Sequence, residues 1–189
     1  MSKLRRFLSL IPALMLWLML SVLVWGFVFT RITDTDPAHK ISLFIDSEVT
    51  DATGLAVQLE EHLDGNISIV KVHPFTYAML DGGQLEASDL FIIRADHMET
   101  YGEWLTPLPE DMRGVYPEYN LDGVPFGVKA YDAESKKGIT TEYINYLPLS
   151  EPEEDYYLCF GQKGVHLASL DNAVDNAAVD AVKVLLNLD

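Results

Sequence analysis

A single cysteine in 189 residues leaves no internal disulfide framework to hold this chain together. Cys159 lies in the apolar run from Tyr156 to Phe160, where it reads as a small buried hydrophobe rather than a reactive thiol. Positive charge is also scarce: 13 Lys and Arg stand against 29 Asp and Glu, a formal net charge of −16. All 29 acidic residues but only nine of the basic ones follow residue 33, so that part carries about −20 with neutral histidines, which argues against nucleic acid and against anionic lipid headgroups as partners.

Catalytic and metal motifs are missing too. His39, His62, His73, His97 and His166 show no His-x-x-x-His spacing, and no Cys-x-x-Cys accompanies them. There is no Gly-x-Ser-x-Gly elbow, and Gly82-Gly83 has neither the spacing nor the lysine of a phosphate loop. Asp171, Asp175 and Asp180 do not alternate as calcium-loop ligands do. No cofactor and no metal is expected.

What the chain does have is an uncharged apolar run from Phe7 to Phe29, preceded by Lys3, Arg5 and Arg6. As a helix these 23 residues would reach roughly 35 Å, enough to cross a bilayer core with some tilt. A cleaved signal would have a shorter core followed by small residues, whereas this run leaves through Trp25, Phe27, Phe29 and Arg31. The reading is a cytoplasmic basic tail (1–6), a transmembrane anchor (7–29), a linker (30–39) and an extracytoplasmic domain (40–189) in a bacterial plasma membrane, with the N-terminus inside.

Beyond the anchor, Ile41–Ile45 reads as a buried strand, and Asp51 caps an amphipathic helix with Leu55, Ala56, Leu59 and Leu63 on its apolar face and Gly65 past its end. Ile67–Val72 is a second strand, halted by His73-Pro74, with a short helix after it over 75–80. Asp89–Arg94 is a third strand, followed by a brief helix over 95–103. Further strands are expected at Val124–Tyr131, bent or at an edge because of Pro125 and Gly127, and at Tyr156–Phe160. The last helix has Val174, Ala177, Ala178, Ala181, Val182, Leu185 and Leu186 on one face, capped by Asp171. This order predicts an α/β fold, with one mainly parallel sheet and helices on its faces.

Four stretches resemble the extracellular solute-binding proteins of bacterial ABC importers, the carbohydrate binders in particular. They are the anchored export segment with the strand from Lys40 to Asp46, the run Ser88–Asp96, the segment Tyr101–Leu108, and Leu121–Val128, which looks like the crossover between two lobes. Asp132 and Asp155 are too close in sequence to enclose a second lobe, so the resemblance implies a single-lobe derivative that keeps one wall of a ligand site. It also implies an ABC permease or another envelope protein as partner.

Ligands of open parallel sheets gather outside the carboxyl ends of the strands. That rule selects Asp46, Ser47 and Glu48 after the first strand, His73 after the second, and Asp96 and His97 after the third, with Tyr101 and Trp104 as an aromatic face for a sugar ring. The same residues also have plain structural uses, as turn or cap groups and as core aromatics. The leading expectation is a non-catalytic, membrane-anchored domain that binds a small polar solute weakly or docks on a transporter. One alternative is an enzyme or accessory acting on envelope glycan through Asp46, Glu48 or Asp96. Another is an assembly factor without a ligand.

Overall fold

The computed structural model describes residues 3–33, 36–47, 50–63, 66–76, 83, 85–139, 143 and 153–187. They form two units, 1–36 and 37–189. The first is one helix, α1 (Lys3–Thr33), with Pro12 inside it. Its stretch Ile11–Phe29 has a mean hydropathy of 2.2 and no buried residue, so it is long and apolar enough to cross a membrane.

The second unit is built on a mixed eight-stranded sheet: β1 (Lys40–Ile45), β2 (Ile69–Pro74), β3 (Leu90–Arg94), β4 (Leu105–Thr106), β5 (Glu118–Leu121), β6 (Val124–Asp132), β7 (Lys137–Gly138) and β8 (Tyr156–Gly161). The main order is β2-β1-β3-β8-β6-β5, with β4 beside β8 and β7 beside β6. Among the described residues, the α-helices of this unit include α2 (Ala52–His62), α3 (Met98–Tyr101) and α4 (Ala177–Leu186).

Among the described strands, only β1, β2 and β3 run parallel, and the other pairings are antiparallel. The expected mainly parallel sheet is therefore corrected to a mixed one. One cause is Asp122-Gly123, inside the stretch likened to an inter-lobe crossover. Both residues have positive φ, 53° and 82°, and they turn β5 directly back into β6. Asp-Gly with two left-handed residues is the signature of a tight hairpin, and a hairpin forces antiparallel pairing.

Period-two alternation divides the core between the sheet's faces. Ile41, Leu43, Ile45, Leu90, Ile92, Leu158 and Phe160 face one way and pack with Leu55 and Leu59 of α2 and Ala178, Val179, Ala181, Val182 and Leu185 of α4. Phe44, Phe91, Ile93, Tyr157 and Cys159 face the other way, against Met98, Tyr101 and Leu105. Because β1, β3 and β8 are covered on both sides, they read as continuous apolar runs.

Several local expectations shift. β2 continues through His73 and ends at Pro74, because it is an edge strand and a proline at its end removes no essential ladder bond. Phe75 and Thr76 are not helical, and 77–80 lie outside the described residues, as does Gly65. β6 is interior, flanked by β5 and β8, with irregular register near Asn120 and Lys129. Asp51 does cap α2, its Oδ1 accepting from the Gly54 amide at 2.9 Å. Asp171 does not cap α4, which starts six residues later; there the Asp175 Oδ1 accepts from the Ala177 amide at 3.0 Å, and Val174 is exposed.

Candidate functional site

The carboxyl ends of β1 and β3 lie side by side, and the chain leaves them in opposite directions, from β1 through α2 to the edge strand β2 and from β3 through α3 toward β4. That is a topological switch point, the place where open α/β sheets generally bind ligand. Asp46 is buried there, at 6% exposure. Its Oδ2 accepts from His97 Nδ1 at 2.8 Å and from the Arg94 amide at 3.4 Å, and its Oδ1 accepts from the Tyr101 hydroxyl at 3.2 Å. With three donors, the carboxylate is satisfied despite its burial.

Backbone geometry sets up this convergence. β3 ends at Arg94, and a single 3-10 turn over Ala95–His97 brings His97 back over the strand end before α3 begins. Arg94 reaches Asp96 through Nε–Oδ1 at 2.9 Å and through Nη2–Oδ2, a two-point contact. The pair keeps Arg94 above and Asp96 below their ordinary ranges, each first through the hydrogen bond between them.

The imidazole of His97 has a defined proton. A carboxylate only accepts, so Nδ1 carries hydrogen toward Asp46; a guanidinium only donates, so Nε2 takes Arg94 Nη2 at 3.3 Å as a bare lone pair. With that lone pair occupied by a group that cannot take a proton onward, His97 is not set up as a general base. The arrangement instead offers solvent a fixed set of charged donors and acceptors: Arg94, Asp96 and His97 side chains are 35%, 44% and 42% exposed.

The other candidates fall elsewhere. Ser47 is buried beside Asp46 and its carbonyl accepts from the Phe75 amide, tying the crevice to the end of β2. Glu48 lies outside the described residues. Tyr101 is 3% exposed, so it supports Asp46 through its hydroxyl and presents no ring face to solvent; burial, then the Asp46 charge, pushes that hydroxyl's pKa up. Trp104 packs on Tyr101 with centroids 5.8 Å apart and lines a separate cavity of about 200 Å³ with Glu86, Glu103, Gln162 and Lys163. His73 lines another cavity, shared with Lys40, Ser42, Lys71 and Asp89.

Arg94 is the member that the residue-by-residue reading passed over. The rule that selected Asp96 and His97 reaches it equally, since it closes β3. Among the described residues, no group of three or more His, Cys, Asp and Glu side chains is placed to hold a metal ion. Comparison with protein-family models, with curated proteins and with solved structures finds no match for this chain.

Proposed function

We propose that this chain is a single-pass membrane protein, with its N-terminus cytoplasmic, that displays a non-catalytic recognition domain outside a bacterial plasma membrane. The domain binds a small polar solute, such as a sugar or amino acid, at the switch-point crevice, or presents that crevice to a transporter or other envelope protein. The resemblance of sequence stretches such as Ser88–Asp96 to solute-binding proteins supports the reading, and α1 supports the anchor. One observation carries it: Asp46, Arg94, Asp96 and His97 converge at the carboxyl ends of β1 and β3, their polar groups already oriented by one another. The engagement of Asp46 by three donors and of Asp96 by Arg94 favours recognition over an envelope-glycan enzyme acting through those carboxylates. With one lobe and no closing partner, affinity is expected to be weak.

The test is a thermal-melt screen of the full chain in detergent against sugars, amino acids and short peptides. Ligand at about 100 times its dissociation constant adds roughly 2.7 kcal/mol. That should raise the midpoint by several degrees, since each kcal/mol moves a domain of this size by about 2–4 °C. The expected result is a shift that Arg94→Gln removes. No ligand in the screen, together with no envelope protein crosslinked to the crevice in cells, would refute the proposal.

A further inference from the structure

The nine cations after residue 33 are not spread evenly. Lys40, Lys71 and Lys163 all line one cavity of about 390 Å³ on the sheet face that carries Phe44, together with His73, Ser42 and Asp89. We propose that this cavity binds a phosphate-type oxyanion carried on a small organic group. Its volume falls in the usual range for small-molecule sites, about 300–1,000 Å³.

Charge compensation is the first argument. Arg94, Lys129, Lys163 and Lys183 each have a carboxylate partner. Lys40 and Lys71, like Arg113 and Lys137 elsewhere, have none among the described residues, although the chain holds more than two acidic groups for every basic one, and only Lys40 and Lys71 of these share a cavity. Strand register gathers them on one side of the sheet. Ser42 pairs with Lys71 and Phe44 with His73, so Lys40, Lys71 and His73 project from the same face of two adjacent strands. Like charges gathered in this way are unfavourable until a counter-charge arrives.

The cavity's one carboxylate is already engaged. Asp89 accepts the Ser42 amide on Oδ2 and the Val165 amide on Oδ1, each at 2.9 Å, and is 4% exposed. Lys163 is held by Glu86 with both side chains about half exposed or more, a pair weak enough to yield to a better anion. Two ammonium groups without carboxylate partners among the described residues, a third that can be recruited and an imidazole supply the charge-assisted donors that phosphate oxygens take. His73 registers the field: burial first, then Lys71 and Lys40, lower its pKa. This local patch is the exception in a strongly acidic domain. Pro37, at its rim, follows Thr33 of the apolar helix by only a few residues in sequence, so soluble phosphate and lipid phosphate are the two sources to separate.

The test follows the imidazole signals of the full chain by NMR, with His73 assigned through His73→Gln. Inorganic phosphate and glycerol phosphate are titrated into protein in phosphatidylcholine nanodiscs, and a parallel sample uses discs containing phosphatidylglycerol. The expected result is a saturable shift of His73, with its titration midpoint raised because the anion offsets Lys71 and Lys40. Lys40→Gln combined with Lys71→Gln should weaken binding tenfold or more, and Lys163→Gln, at an exposed site, about threefold. Response to soluble phosphate identifies a soluble ligand, and response only in the anionic discs identifies a headgroup; either supports the site. A His73 signal indifferent to both, or equal binding by the lysine variants, would overturn it and leave Lys71 as a charge guarding the β2 edge.

Discussion

Two sites on the β1–β2–β3 ribbon solve the problem of charge in opposite ways. At the carboxyl end, Asp46, Arg94, Asp96 and His97 are matched donor to acceptor. Along the face that carries Phe44, Lys40 and Lys71 share a cavity without carboxylate partners among the described residues. Matched charges hold a shape ready for a polar ligand of mixed character, whereas unmatched charges of one sign favour a ligand of the opposite sign. Burial alone does not separate the sites, because each has a buried carboxylate.

Replacing those carboxylates gives the largest effects. Asp89→Ala leaves the Ser42 and Val165 amides, fixed in the backbone, without their acceptor, and should cost about 3 kcal/mol in urea unfolding. Asp46→Ala should cost less, about 2 kcal/mol, because His97 is partly exposed and can turn to water. If Asp46→Ala proved the more damaging, the preorganised crevice would be a stability element first.

His166 adds a pH dependence at the amino end. Its ring is fully buried, Nδ1 donating to Asp175 at 2.7 Å and Nε2 toward the carbonyls of Pro37 and Lys40 at 2.9 and 3.1 Å. Acceptors on both sides require a proton on both nitrogens. Burial opposes that charge, but the hydrogen bond to Asp175, the charge of Asp89 and the Pro37 carbonyl hold the pKa above the ordinary value. A raised folded-state pKa means that this stabilisation is fully present below the unfolded value of about 6.5 and is lost as pH rises through the folded value. Stability measured against pH should fall across that window, and His166→Gln should flatten the fall.

Two smaller changes refine the contrast. Tyr101→Phe removes one donor to Asp46 and should cost about 1 kcal/mol, readable as a small loss of urea midpoint. Lys163→Ala breaks an exposed pair and should change stability by less than about 0.5 kcal/mol.

The strands buried on both faces were legible as apolar runs, and α2 from its Asp51 cap and periodicity. Pairing direction was not. Tyr156–Gly161, buried at every position, looks the same whether its neighbours run with it or against it. Asp122-Gly123 did carry a hairpin signal, and the likeness to a crossover drew attention from it. At the crevice, the carboxyl-end rule found Asp46, Asp96 and His97, which the structure brings together, but it also selected His73, which the edge strand carries to another cavity. The Lys40–Lys71 pair and the His166 contacts arise from register and from residues more than a hundred positions apart, neither of which local pattern expresses.

The most direct test of the matched crevice is the proton on His97. A long-range nitrogen–proton spectrum of the imidazoles in the full chain, taken at about pH 8, above the ordinary histidine range, resolves which ring nitrogen is protonated. The account predicts hydrogen on Nδ1, toward Asp46, and a bare Nε2 toward Arg94. Hydrogen on Nε2 would mean that the network from Asp46 through His97 to Arg94 does not form, and the preorganised site would be contradicted.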